Sequence, residues 1–137
     1  MDSRTKAIAA ARASLDKKAK DVQVLELRGL TVIADYFVIC SGESTTQTRT
    51  IAEHIKETLR QDDVSATRVE GLDYSRWILM DYGDVIVHVF EEETRLYYEL
   101  EKLWLDAPRI AFADEDKDNL DRENKREISA RRDRAIS

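Results

Sequence analysis

The chain has 137 residues, enough for one domain with a modest core, and no stretch in it approaches the ~20 apolar residues of a membrane span. Its net charge of −6 and pI of about 5.0 argue against retention on DNA or RNA by phosphate neutralisation, which needs a basic surface. A lone cysteine, Cys40, excludes an internal disulfide; with no apolar leader at the N-terminus, it predicts a soluble cytoplasmic chain.

Ser3 to Lys20 reads as a first helix, with Ile8, Ala11, Leu15 and Ala19 recurring at helical spacing. Val22 to Leu27 reads as a strand, and Gly29 and Thr31 mark the turn after it. Tyr36 to Cys40 is an unbroken apolar run, the pattern of a strand covered on both faces. Ser44 followed by Gln47 fits a capping box that opens a second helix to about Gln61, with Ile51, Ile55 and Leu59 on its inner stripe. Thr67 to Glu70 is a short strand ended by Gly71.

Trp77 to Phe90 is the most informative segment. Gly83-Asp84 signals a two-residue hairpin turn, and such a turn fixes the register. Tyr82 then faces Val85, Met80 faces Val87 and Ile78 faces Val89, and these six side chains share one purely apolar face. The other face carries Trp77, Leu79, Asp81, Ile86, His88 and Phe90. A third helix follows, with Glu91, Glu92 and Glu93 at its start, where negative charge suits the helix dipole. Its predicted apolar stripe is Tyr97, Leu100, Leu103 and Trp104. Pro108 closes the domain, set at residues 1–109. Residues 110–137 are assigned to a charged, disordered tail; from Asp114 to Ser137 charges of both signs dominate, and Leu120 and Ile128 are almost the only large apolar residues.

This order of elements predicts an α/β fold, a mixed five-stranded sheet with helices mainly on one face. The second sheet face is then incompletely covered. Exposed apolar surface marks a partner site, and Trp77 is the natural anchor of such a site.

Asp81, Asp84 and His88 invite a catalytic or metal reading. Asp81 and His88 are diagonal neighbours across the hairpin, a pair that alternatively stiffens the open face by hydrogen bonding. With His54 at an unknown distance, they do not make up the three or four ligands a metal needs. Asp84 is more simply a turn residue. Cys40 is a poor nucleophile candidate, buried and without a cationic neighbour in sequence. Ser41-Gly42-Glu43-Ser44, between a strand and a helix, resembles the Gly-Ser entry of nucleotidyltransferases. That chemistry needs a strand bearing two carboxylates two residues apart to hold metal ions. Glu91 and Glu93 have the spacing but fall at a helix start, and residues 114–118 have it only in the tail. The scaffold is thus nucleotidyltransferase-like and lacks the catalytic carboxylate pair. A divergent nucleotidyltransferase-like enzyme using Ser41, Ser44, Asp81 and Asp84 stands as the second reading. A nucleic-acid binder working through Arg131, Arg132 and Arg134 is the third.

Four segments together carry a family resemblance: Ile33-Ala34-Asp35-Tyr36-Phe37-Val38-Ile39-Cys40-Ser41-Gly42, then Val69-Glu70-Gly71, then Asp81-Tyr82-Gly83-Asp84-Val85-Ile86-Val87-His88, then Leu96-Tyr97-Tyr98-Glu99-Leu100-Glu101-Lys102-Leu103-Trp104. Over roughly Ala7 to Pro108 the chain resembles the ribosomal silencing factors, the Iojap-like family. The resemblance implies a binding module rather than an enzyme, with no cofactor and no metal. Its partner would be the large ribosomal subunit, met through that subunit's fourteenth protein on the face toward the small subunit. The action would be steric: subunits are kept from joining and translation falls when nutrients are scarce, with a role in large-subunit biogenesis as well. A homodimer is expected when no ribosome is present. From the face assignment, the expected contacts are Trp77, Leu79, Asp81, Tyr82 and His88. Tyr82 is included for its place at the hairpin tip, although the register puts it on the opposite face.

Overall fold

The computed structural model describes residues 1–112. The elements run α1 (Ser3–Asp16), β1 (Lys20–Glu26), β2 (Tyr36–Gly42), α2 (Thr45–Gln61), β3 (Arg68–Glu70), β4 (Trp77–Asp81), β5 (Val85–Glu91), α3 (Glu92–Tyr98) and a 3-10 turn (Leu100–Trp104). The strands form one mixed sheet in the order β1-β2-β5-β4-β3. β2 and β5 pair in parallel, and the other three pairings are antiparallel. A parallel neighbour requires a crossover; here α2, β3 and β4 make it. β2 is buried at all seven positions, as its unbroken apolar run predicts.

The hairpin register is the one the turn dictates. Met80 pairs with Val87, Ile78 with Val89, Leu79 with His88 and Trp77 with Phe90. Gly83 sits at φ +86°, a conformation that costs glycine little and other residues more. The all-apolar face, with Ile78, Met80, Tyr82, Val85, Val87 and Val89, joins Val24, Val38 and Cys40 to form the core beneath α1 and α2.

α2 packs as its periodicity predicts, with Ile51, Ile55 and Leu59 fully buried. Its start departs from a standard capping box by one residue. Ser44 accepts from the Gln47 N–H at 3.1 Å, but the Gln47 side chain accepts from Glu43 N–H at 2.7 Å rather than from Ser44. α1 ends at Asp16, not Lys20, and buries a different stripe. Ala7, Ala10, Ala11, Ala13 and Ser14 face inward, Ile8 is partly buried and Leu15 is exposed. The helix lies close against α2 and the sheet, and only small side chains fit that separation.

The other sheet face is also covered, by the segment that follows α3. Leu100 and Trp104 pack with Ala107 over Leu25, Leu27, Phe37, Ile39, Ile86 and Phe90. The chain then runs along the outer edge of β1, with Glu26 N–H donating to Pro108 O at 2.9 Å and Ile110 N–H to Val24 O at 2.8 Å. This caps a strand edge that would otherwise present unpaired backbone groups. Ile110 and Phe112 are buried in the helix-side core, so the expected domain boundary at residue 109 falls inside the packing. The rest of the expected tail, including Leu120, Ile128 and the three arginines, lies outside the described residues. Among the described residues no helix is long and apolar enough to cross a membrane.

Candidate functional site

α3 was expected to run on to Trp104 with one buried stripe. Instead it stops at Tyr98, because Glu99 takes a left-handed conformation (φ 50°) and the chain restarts as a 3-10 turn. The break rotates the two halves of the stripe apart. Leu100 and Trp104 turn onto the sheet, while Leu96, Tyr97, Tyr98, Leu103 and Leu105 are each more than half exposed.

Arg95 anchors this layer. Its side chain is buried, donates to the Asp21 carbonyl and to Ser41 Oγ at 2.8 Å each, and pairs with Glu101 at 3.0 Å. A buried charge is tolerated only when paired and hydrogen-bonded in this way. Nothing in the sequence singled out Arg95, because its partners come from β1, β2 and the 3-10 turn.

Trp77 stands where the covered sheet face meets this exposed strip. It stacks on fully buried Phe90 at 4.8 Å between ring centroids and meets Tyr98 at 5.0 Å, and Tyr98 meets Tyr97 at 5.1 Å. A continuous run of rings thus leads from the core to solvent. The Trp77 indole N–H donates to His88 Nδ1 at 3.1 Å. That bond requires a neutral imidazole whose proton is on Nε2. Burial keeps it neutral: His88 lies edge-on to Phe37 at 4.6 Å, and desolvation lowers its pKa to about 4. Gly71 packs against the Trp77 main chain. It adopts φ +88°, and a Cβ there would fall 2.0 Å from the Trp77 carbonyl oxygen.

The five expected contact residues therefore separate. Trp77 and Leu79 are partly buried against the covered sheet face, and Trp77 meets the strip at Tyr98. Asp81 is partly exposed; it accepts from Gly83 N–H at 2.8 Å and meets Arg68 at 3.6 Å, so the expected Asp81–His88 pair is replaced by two separate partnerships. Tyr82 is buried in the helix-side core, and burial pushes its phenol up to about 12. His88 is buried beneath Trp77 and does not reach the surface. The exposed sheet face expected around Ile86 and Phe90 is likewise closed, because the 3-10 turn and Ala107 lie over it. The sequence puts Tyr97 on the buried stripe and singles out neither Tyr97 nor Tyr98 for the surface contact; the break at Glu99 separates Tyr97, which is exposed, from Leu100 and Trp104, which pack on the sheet.

The residues of the enzymatic reading have structural duties. Ser41 accepts from Arg95 and Ser44 caps α2. Asp84 is held by Lys6 at 2.7 Å. Glu91 ends β5 while Glu93 belongs to α3, so they are not a strand-borne pair. His54 sits 3.1 Å from Asp16, on the helix side of the sheet. Burial pushes the Cys40 thiol up to about 12, far from a reactive thiolate. Among the described residues no group of three or more His, Cys, Asp or Glu side chains could hold a metal ion.

The family model described as "Ribosomal silencing factor during starvation" matches residues 1–137. The chain belongs to the ribosomal silencing factor family. It is 48% identical over 99 residues to the ribosomal silencing factor RsfS of Bacillus subtilis, covering 72% of this chain and 84% of that one. It is 32% identical over 91 residues to the mouse protein named "Mitochondrial assembly of ribosomal large subunit protein 1", covering 64% of this chain and 40% of that one. A crystal structure from Bacillus halodurans superimposes with a TM-score of 0.67 at 41% identity, covering 75% of this chain and 93% of the other. Membership in the RsfS family places the function at the ribosome, in the regulation of translation, and fixes the fold as a mixed α/β sheet.

Proposed function

We propose that this chain silences ribosomes by docking the aromatic strip on the large subunit. The observation that carries the reading is the run of rings Phe90–Trp77–Tyr98–Tyr97, rooted in the core and ending in solvent. Rigid aromatic side chains of this kind dominate binding energy at interfaces. A net charge of −6 favours a protein over bare RNA as the immediate contact. The partner is the fourteenth protein of the large subunit, on the face that meets the small subunit. A domain seated there blocks subunit joining by bulk and lowers translation under nutrient limitation; the same contact serves large-subunit biogenesis. About 800 Å² buried per partner is sufficient for a stable complex.

Within this reading Trp77 and Leu79 touch the partner directly, together with Tyr97 and Tyr98. Asp81 lies at the margin, and His88 acts by holding Trp77. The chain works without cofactor or catalysis, in the cytoplasm. When no subunit is available, a second copy covers the strip and gives a homodimer.

The test is sedimentation with isolated large subunits, isolated small subunits and joined ribosomes. Association with large subunits alone is expected. Trp77→Ala and Tyr97→Ala/Tyr98→Ala are expected to abolish it with the melting transition retained. Equal association of wild type and both variants with large subunits would remove the strip from the contact.

A further inference from the structure

Beside Trp77 the surface opens into a cleft of about 370 Å³, lined by Arg76, Trp77, Glu91, Glu93, Tyr97 and Tyr98. Three aromatic side chains and two carboxylates converge there from β4, β5 and α3. Among the described residues neither Glu91 nor Glu93 has an ion-pair partner. Trp77 is already fixed by Phe90 behind it and His88 beneath it, so little freedom remains to be lost on binding.

We infer that this cleft receives a cationic side chain, an arginine guanidinium or a lysine ammonium, from the macromolecule on which the strip docks. The inference rests on the docking reading above for its setting, but its chemistry is local. Aromatic rings present negative faces that attract a cation, and tryptophan does so best. The two carboxylates add direct charge attraction and hydrogen-bond acceptors, the partners that guanidinium groups bind most strongly. An anionic group entering the cleft would meet both carboxylates, and a purely apolar one would strip them of water. Arg76 is the single opposing charge in the lining, and the cleft remains net negative with it. The acidity of the whole chain steers a basic partner in the same sense.

The test uses the full chain and small probes. N-acetyl-argininamide, N-acetyl-lysinamide and neutral N-acetyl-citrullinamide are titrated while the Trp77 indole N–H is followed by NMR. The cationic amides are expected to shift that signal and the citrulline amide to leave it unmoved; the stronger of the two cations identifies the preferred side chain. Glu91→Gln/Glu93→Gln is expected to weaken the cationic probe about tenfold, and Arg76→Ala to strengthen it. The same double variant is expected to lower association with large subunits about tenfold and to reduce its dependence on salt. Equal response to citrullinamide, indifference to the double variant, or weakening by Arg76→Ala would each overturn the inference. The two readings fail separately. A wild-type chain that ignores large subunits yet binds the cationic amides refutes the docking reading and not the cleft. A chain that binds large subunits through Trp77 but takes neither cation refutes the cleft alone.

Discussion

Acidification is expected to weaken this fold through one imidazole. Buried under Trp77 and beside Phe37, His88 has its pKa lowered from 6.5 to about 4 by desolvation. In the unfolded chain it titrates at its ordinary value. Between pH 6.5 and pH 4 the unfolded chain therefore takes up a proton that the folded chain refuses. Stability contributed by the neutral group is complete above pH 6.5, declines as pH falls through that window, and levels off below pH 4. Each pH unit is worth about 1.4 kcal/mol, so the full window removes about 3 kcal/mol, a large share of a typical domain's stability. The assay is urea unfolding at closely spaced pH values, followed by circular dichroism, for wild type and His88→Asn. Asparagine does not titrate and can still accept the indole N–H. The carboxylates and partly buried His54 are common to both proteins, so the difference between the two curves isolates His88. A difference that grows by about 3 kcal/mol from pH 4 to pH 6.5 is expected. Parallel curves would mean that the imidazole is not held neutral, and the account of Trp77 placement would fall with it.

Other outcomes follow from the packing. Arg95→Ala leaves partly buried Glu101 without its partner, orphans the Asp21 carbonyl and Ser41 Oγ, and frees the layer that covers the sheet; a loss of about 3 kcal/mol is expected in urea unfolding. Gly71→Ala combines an unfavourable positive φ with a collision at the Trp77 carbonyl, so a destabilisation above about 1 kcal/mol is expected, together with a red shift of tryptophan emission. On α1, Ala10→Leu is expected to cost about 1–3 kcal/mol by overpacking, whereas exposed Leu15→Lys is expected to stay within about 0.5 kcal/mol of wild type. Reversal of that α1 order in thermal melts would restore the stripe read from periodicity.

How much the sequence disclosed depended on how local the cause was. The hairpin was legible because Gly83-Asp84 leaves one register, and every facing pair follows from it. The α2 stripe was legible because Ile51, Ile55 and Leu59 contrast with polar neighbours. α1 misled because alanine is ambivalent between core and surface. The separation of the helix from its neighbours, not hydrophobic contrast, selected Ala7 and Ala10 over Leu15. The break at Glu99 gave no sign, since no glycine, asparagine or proline stands there. It coincides with the long-range capture of Arg95 by Asp21 and Ser41, which no local pattern encodes. Tyr82 and His88 fall on the faces the register gives them, but the closing of the His88 face by Leu100, Trp104 and Ala107 is not legible, because the sequence reads as one unbroken helix to Trp104.

The parallel pairing of β2 with β5 has a consequence for biosynthesis. β2 has buried side chains on every position, yet its hydrogen-bonding neighbour toward the sheet centre is the last strand to be translated. Until the ribosome has released that strand, the N-terminal half holds a sticky, half-satisfied edge, the kind of surface on which nascent chains aggregate or recruit chaperones. Folding of this protein is therefore expected to complete only after most of the chain has left the exit tunnel.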